Sequence, residues 1–123
     1  MKHILVIDDS EDMQHFINVS LSSDGYKVSI AEDGISGFNS AKKYLPDLII
    51  LDNMLPKMSG VQVCAMLKGN IKTKSIPVIM FSAKQNEKDL KIYQQVKVDD
   101  FLSKPFVIED LKEKINNFLN FLP

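Results

Sequence analysis

Short apolar runs alternate with segments of helical spacing along the whole chain. The runs are rich in β-branched residues and are bounded by turn residues, a pattern typical of strands. We predict five strands, at residues 3–7, 26–31, 47–52, 77–81 and 100–102. The segments that follow the strands predict five helices. The first and second start after Ser10 and Asp33, the third and fourth cover 61–67 and 87–96, and the fifth starts after Pro105.

Local signals support the helix ends. Ser10 is a good N-cap, Gly25 suits the left-handed position that follows a helix, and Pro46 ends the second helix. The apolar residues of each helix recur at a spacing that predicts one buried face. For the first, second and fifth helices these residues are Met13, Phe16, Ile17 and Leu21; Ile35, Phe38, Ala41 and Leu45; and Ile108, Leu111, Ile115, Phe118, Leu119 and Leu122.

The alternation of strands and helices predicts an α/β fold. Residues 48–51 are all apolar, as expected for a parallel strand covered on both faces. Five βα units with right-handed crossovers predict a three-layer flavodoxin-like (βα)5 fold, with a parallel five-stranded sheet in the order 2-1-3-4-5. The 123 residues predict a single domain, 1–123.

Composition narrows the functional classes. The net charge is -1 and all 15 basic residues are lysines, so we expect no direct nucleic-acid binding. No apolar run approaches the roughly 18 residues of a membrane span, and the first residues lack the features of a signal peptide, so we expect a cytoplasmic protein with no membrane contact. The single cysteine, Cys64, excludes an internal disulfide.

Polar residues follow four of the predicted strands. Asp8 and Asp9 follow the first strand, Asp52 ends the third, Ser82 follows the fourth and Lys104 comes just after the fifth. In the predicted strand order these carboxyl ends meet at one edge of the sheet, where α/β proteins form their sites. We therefore expect three carboxylates, a hydroxyl and a lysine to share a pocket.

Clustered carboxylates repel one another, and a hard divalent cation relieves the repulsion. Carboxylate, carbonyl and water oxygens favour Mg²⁺. Asp52 could then act as a nucleophile that forms an acyl phosphate, with Lys104 and the metal offsetting the charge of the transferred group. Ser82 could donate a hydrogen bond to a phosphoryl oxygen.

The motifs resemble those of the response-regulator receiver family, including its stand-alone chemotaxis-type members. The resemblance covers roughly the whole chain. It rests on strings in the family's order and spacing, among them Val6-Ile7-Asp8-Asp9, Leu51-Asp52, Leu55-Pro56, Ser82-Ala83 and Asp100-Phe101-Leu102-Ser103-Lys104-Pro105-Phe106.

The resemblance implies a role for each residue of the acidic cluster. Asp52 resembles the phosphoacceptor. Asp9 resembles the direct metal ligand, with Asp8 acting mainly through water, and the backbone carbonyl of Met54 matches a further metal ligand.

The family pattern also implies a switch. Ser82 matches the switch hydroxyl and Phe101 the switch aromatic, while Lys104 resembles the lysine that pairs with the phosphoryl group. Pro105 matches a proline that follows this lysine through a cis peptide bond. Side chains at Met54 and Lys84 would tune hydrolysis of the acyl phosphate.

Two positions depart from the family pattern. Lys97-Val98 stands where receivers commonly carry small residues, which bears on the tightness of the turn before the fifth strand. Phe101 stands where many receivers have a tyrosine. It has no hydroxyl to exchange between partners, so packing alone would drive its rotation.

The resemblance implies a signalling switch of a two-component or phosphorelay system rather than an enzyme. Its partners would be a sensor histidine kinase or histidine phosphotransfer protein and a downstream effector protein or domain, and a phosphorylation-dependent dimer is one form of output. Signalling would use the fourth helix, fifth strand and fifth helix. Three alternatives stay open: a Mg²⁺-dependent phosphatase with an aspartyl nucleophile, a flavodoxin-type cofactor-binding module, and a degenerate receiver that binds partners without phosphorylation.

Overall fold

The computed structural model describes residues 1–83 and 87–119. Its strands are β1 (His3–Ile7), β2 (Lys27–Ala31), β3 (Leu48–Asp52), β4 (Val78–Ser82) and β5 (Asp100–Ser103). Its helices are α1 (Glu11–Ser22), α2 (Gly34–Tyr44), α3 (Gly60–Lys68), α4 (Glu87–Gln95) and α5 (Ile108–Leu119). These bounds lie within one or two residues of the predicted strands and helices, and the predicted apolar residue Leu122 lies outside the described residues.

The strands form one parallel sheet in the order β2-β1-β3-β4-β5. This confirms the predicted flavodoxin-like topology. Successive strand residues point to opposite faces of the sheet, so each strand contributes to two cores. All five residues of β3 are buried, as the apolar run predicted for a central strand.

Helices cover both faces of the sheet. On one face, Leu5 and Ile49 share a core with residues of α2, α3 and α4, among them Tyr93 of α4. On the other face, Ile4 and Ile50 share a core with residues of α1 and α5. The result is the predicted arrangement of three layers.

Helix α2 corrects one sequence-based expectation. Its buried residues are Gly34, Gly37 and Ala41, and a Cβ atom at Gly37 would lie 2.5 Å from the side chain of Ile7 in β1. Because small residues allow this close approach, the buried face of α2 is rotated away from the predicted one. Ile35, which we expected to be buried, is 51% exposed.

Two other predicted core residues are also largely exposed. Phe16 of α1 is 42% exposed, and Leu45 is 55% exposed because it leaves α2 in the left-handed conformation, with a φ of 48°. The predicted caps are confirmed: Ser10 accepts the backbone N–H of Met13, and Gly25 has a φ of 91°. Among the described residues, no helix has both the length and the apolar character required to cross a membrane.

Candidate functional site

Asp52 lies at the carboxyl end of β3 and is 4% exposed. Its Oδ1 atom accepts the backbone N–H of Met54 at 3.2 Å. Its Oδ2 atom lies 3.3 Å from Nζ of Lys104. The carboxylate is therefore held from two sides.

Asp8 and Asp9 bring two more carboxylates to this edge of the sheet. The ligand oxygens of Asp8, Asp9 and Asp52 lie within 4.8 Å of one another. Asp8 is 1% exposed, and its Oδ1 atom accepts the backbone N–H of Ser10 at 2.9 Å. Its buried Oδ2 atom has no hydrogen-bond donor within the part of the chain that the structure describes. Asp9, in contrast, is exposed to solvent.

The Asp8 carboxyl is perturbed by this environment. Burial raises its pKa above the usual 3.8, and the neighbouring carboxylates of Asp52 and Asp9 raise it further. The Ser10 N–H and the Lys104 ammonium act in the opposite direction. Burial is the largest contribution, so the charged form of Asp8 is destabilised in the folded domain.

Lys104 supplies positive charge to the cluster. It directly follows β5, and its backbone N–H donates to the Ser82 carbonyl at 2.7 Å, which fixes the chain beside β4. Its Nζ atom lies 3.8 Å from Oδ2 of Asp8 as well as 3.3 Å from Asp52. The Lys104–Pro105 peptide bond is cis, as the resemblance implied.

The donor set fits a hard divalent cation. It contains three carboxylates against one ammonium, which leaves an excess of negative charge when all are ionised. The Oδ2 atom of Asp8 has no hydrogen-bond donor among the described residues, and Lys104 approaches it only to 3.8 Å, so it has a lone pair to offer a metal. All the side-chain donors are oxygens, which suit Mg²⁺. The role of the Met54 carbonyl as a further ligand stays a prediction. Its N–H bond to Asp52 does hold this part of the loop at the cluster.

The remaining predicted site residues differ in how far they are buried. Ser82 ends β4, one residue beyond Phe81, which pairs with Asp52 of β3, and it is 3% exposed. Phe101 lies on β5 and is 36% exposed, so its ring is at the surface and not in the core. The Met54 side chain is 72% exposed, and Lys84 lies outside the described residues.

Lys97 adopts the left-handed conformation with a φ of 66°. The N–H of the next residue, Val98, reaches back to the carbonyl of Tyr93 at 3.0 Å and so closes the end of α4. The turn before β5 is therefore formed despite the departure from small residues.

Three residues near the site were given no role from the sequence. A Cβ atom at Gly60 would lie 2.5 Å from the carbonyl oxygen of Asp52, so glycine is required where α3 meets the end of β3. Asn53 has a buried Oδ1 atom without a hydrogen-bond partner among the described residues. Tyr93 of α4 is 4% exposed, and its ring centroid lies 6.0 Å from that of Phe101. Its spacing from Leu90 and Val96 indicates a buried position, but only the tertiary structure places its ring beside Phe101.

Comparisons with known proteins agree with this geometry. Residues 4–116 match the response regulator receiver domain family. The chain is 38% identical over 119 residues to the DNA-binding dual master transcriptional regulator RpaA of Synechocystis, covering 97% of this chain and 49% of that protein. It is 35% identical over 118 residues to the alkaline phosphatase synthesis transcriptional regulatory protein PhoP of Bacillus subtilis, covering 96% and 48%. The chain thus spans about half the length of these curated relatives.

Solved structures show the same fold. The chemotaxis protein CheY4 of Vibrio cholerae superposes with a TM-score of 0.92 at 27% identity, over 97% of this chain and 99% of CheY4. The receiver domain of the sensor histidine kinase PA1611 of Pseudomonas aeruginosa superposes with a TM-score of 0.89 at 27% identity, over 98% of each chain. That structure has a magnesium ion coordinated in its active-site cleft.

Three observations agree: the strand order, the cluster of Asp8, Asp9 and Asp52 beside Lys104, and the family match over residues 4–116. This chain belongs to the response regulator receiver domain family.

Proposed function

We propose that this domain is a phosphorylation-activated switch that accepts a phosphoryl group on Asp52 in a Mg²⁺-dependent reaction. The observation that carries the proposal is the position of the Asp52 carboxylate, 3.3 Å from the Lys104 ammonium and within the group of three carboxylates. A carboxylate nucleophile, a fixed cation and a set of oxygen ligands are the groups that phosphoryl transfer to aspartate requires.

The donor is a phosphohistidine on a sensor histidine kinase or histidine phosphotransfer protein, or a small molecule such as acetyl phosphate. A carboxylate oxygen of Asp52 attacks phosphorus, the bond from phosphorus to the donor atom breaks, and its electron pair leaves with the donor. Lys104 offsets the charge of the phosphoryl oxygens, since its Nζ atom already contacts Asp52. Asp8, Asp9, Asp52 and the Met54 carbonyl would hold Mg²⁺, which supplies further positive charge to the transferred group.

The output is a change at the surface formed by α4, β5 and α5. Ser82 moves toward the phosphoryl group, and Phe101, which is at the surface in this structure, packs inward. The phosphorylated form must favour the second arrangement for the switch to operate. A downstream effector protein or domain binds the altered surface. One form of this output is a phosphorylation-dependent dimer.

The domain acts on itself and does not turn over an external substrate. The alternative hypothesis, a phosphatase with an aspartyl nucleophile, requires a second aspartate two residues after the nucleophile. This chain has Met54 at that position. The intact acidic cluster argues against a degenerate receiver, and Asp8-Asp9 would repel the phosphate of a flavin nucleotide. A cytoplasmic location and the absence of direct nucleic-acid binding stay predictions.

The test is phosphorylation by acetyl phosphate with Mg²⁺, followed by mass spectrometry of the intact protein. The wild type should gain the mass of one phosphoryl group, and Asp52→Asn should gain none because the amide is not a nucleophile. Asp12→Asn is the matched control, since this exposed aspartate of α1 lies outside the cluster, and it should be labelled like the wild type. Undiminished labelling of Asp52→Asn would reject Asp52 as the acceptor. Sustained hydrolysis of a simple phosphomonoester by the wild type would favour the phosphatase.

A further inference from the structure

A cavity of about 360 Å³ lies at the amino-terminal edge of the sheet, between strands β1 and β2 and the C-terminal half of helix α2. Asp52 is at the opposite edge, at the carboxyl end of β3. The volume lies within the range typical of small-molecule sites. The lining combines the apolar or aromatic residues Leu5, Tyr44 and Pro46 with the polar residues His3, Lys27 and Ser29.

The floor of this cavity is a polar part of a sheet face that is otherwise apolar. Side chains two residues apart on a strand point to the same face, so His3 shares the face of Leu5 and Ser29 shares the face of Ala31. Leu5 and Ala31 belong to the core on the α2 side of the sheet. His3 pairs with Lys27, and Leu5 pairs with Ser29, in the register of the two strands. The three polar side chains are therefore neighbours on the face that α2 covers.

His3 and Ser29 are joined across this floor. The Nε2 atom of His3 lies 2.7 Å from the Oγ atom of Ser29. Burial lowers the pKa of His3 below its usual 6.5, and the Lys27 charge lowers it further, while the Asp47 carboxylate raises it. The ring is therefore uncharged at neutral pH. When Nε2 carries the ring proton, it donates to Ser29, and the hydroxyl proton of Ser29 is available to a ligand.

The charges around the cavity favour an anion. Lys27 lines the cavity and is exposed to solvent. The Nζ atom of Lys43 lies 5.2 Å from the centroid of the Tyr44 ring, which places a second ammonium beside the aromatic wall. The Asp47 carboxylate does not line the cavity, and its Oδ2 atom accepts the backbone N–H of His3 at 2.8 Å.

We propose that this cavity binds a small aromatic carboxylate, with the carboxylate held by Lys27 and Ser29 and the ring against Leu5 and Tyr44. An ammonium and a hydroxyl donor match the two oxygens of a carboxylate. Leu5 is 2% exposed and provides an apolar floor, and the Tyr44 ring provides an aromatic wall. The site is separate from Asp52, and its occupation does not require phosphorylation.

Benzoate is the probe, and benzyl alcohol, which has the same ring without the charge, is the control ligand. Titrated into the ¹⁵N-labelled wild-type domain with Mg²⁺ present, benzoate should give saturable shifts of the backbone amide signals of Lys27, Ser29 and Tyr44. It should bind about tenfold more tightly than benzyl alcohol, because hydrogen bonds to a charged group are the stronger ones. Absence of saturable shifts, equal affinity for the two ligands, or shifts confined to the signals around Asp52 and Lys104 would overturn the inference.

Two variants test the carboxylate contacts. Lys27→Met removes the charge and keeps an aliphatic side chain, and Ser29→Ala removes the hydroxyl. Each should bind benzoate about fivefold more weakly than the wild type and leave the affinity for benzyl alcohol unchanged. Lys42→Met is the matched control, because Lys42 does not line the cavity and its Nζ atom lies 4.6 Å from the centroid of the Phe38 ring. Benzoate binding of wild-type strength in either Lys27→Met or Ser29→Ala would show that the cavity does not hold the ligand as proposed.

The ring nitrogens of His3 give a spectroscopic readout of the same contact. In mildly alkaline buffer, where the ring is uncharged, the ring ¹⁵N signals at saturating benzoate should be those of the Nε2–H tautomer, because Ser29 then donates its proton to the ligand. The Nδ1–H tautomer in the bound state would leave Ser29 without a proton for the carboxylate and would refute the proposed contact.

Discussion

The buried charge of Asp8 predicts that the metal-free domain is destabilised by its own site. Asp8→Asn replaces the carboxylate with an amide of the same shape that still accepts the Ser10 N–H. We expect the variant to be more stable than the wild type at neutral pH in the presence of EDTA, and to lose most of the stabilisation that Mg²⁺ confers.

The magnitude follows from opposing interactions. At the 4.8 Å limit of the cluster, repulsion between two carboxylates is about 3 kcal/mol with an effective dielectric constant of about 20. Attraction between Asp8 and Lys104 at 3.8 Å is about 4 kcal/mol on the same basis. For Asp52 and Lys104 these two terms nearly cancel. Repulsion from Asp9 is weaker, because that charge is exposed and screened by solvent, and it acts in the same direction as the cost of burying the charge of Asp8, which decides the sign. A gain of about 1–2 kcal/mol is expected, or about 4–8 °C in melting temperature.

The pH dependence has a definite sign. Because the folded-state pKa of Asp8 is raised above 3.8, its contribution favours the folded state at low pH and is lost as the pH rises through the folded-state value. The stability difference between Asp8→Asn and the wild type should therefore be largest near neutral pH and vanish once the pH falls below 3.8.

Thermal and urea unfolding with EDTA, and again with saturating Mg²⁺, measure both effects. A ligand that binds only the folded state stabilises it, so the wild type should gain stability with Mg²⁺ and Asp8→Asn should gain much less. Asp9→Asn is the control, since its exposed charge is solvated and its removal should change metal-free stability little. The reasoning is refuted if Asp8→Asn is the less stable protein in EDTA, or if Mg²⁺ stabilises it as much as the wild type.

Two further predictions concern backbone geometry at the turn before β5 and at the start of α3. Lys97→Gly should stabilise the domain by about 0.5–1 kcal/mol in urea unfolding, because glycine adopts a φ of 66° without strain. As the control, Lys91→Gly inside α4 should destabilise the domain by about 1 kcal/mol. A loss of stability in Lys97→Gly would contradict this prediction. Gly60→Ala should lower the free energy of unfolding by about 2 kcal/mol and weaken Mg²⁺ binding measured by calorimetry, because its Cβ atom would meet the Asp52 carbonyl oxygen at 2.5 Å. Gly69→Ala is the control and should lower stability less, because its nearest contact would be at 3.1 Å. Equal losses of stability in the two variants would be inconsistent with a clash at the site.

The fold was largely predictable because its signals are local. Apolar runs, caps and turn residues identified every strand and helix, and the alternation of the two limited the topology. The expected burial of Ile35 was wrong because helical spacing identifies an apolar face but not how closely the helix approaches the sheet. The small residues of α2 determine that approach, and Gly37 lies directly over Ile7.

The residues of the candidate site could be predicted because they lie at the carboxyl ends of strands whose order the alternation of strands and helices indicated. These residues are Asp8, Asp9, Asp52, Ser82 and Lys104. Parallel strands bring their carboxyl ends to one edge, so the sequence by itself determined which side chains meet.

Only the tertiary structure decided their energetics and their connections. The burial of Asp8 and the lack of a hydrogen-bond donor to its Oδ2 atom among the described residues depend on packing around the pocket, and the ring contact between Tyr93 and Phe101 joins residues from different elements. Such contacts depend on how far each side chain reaches after the layers have packed together. The periodicity of apolar residues along the chain does not predict how far a side chain reaches.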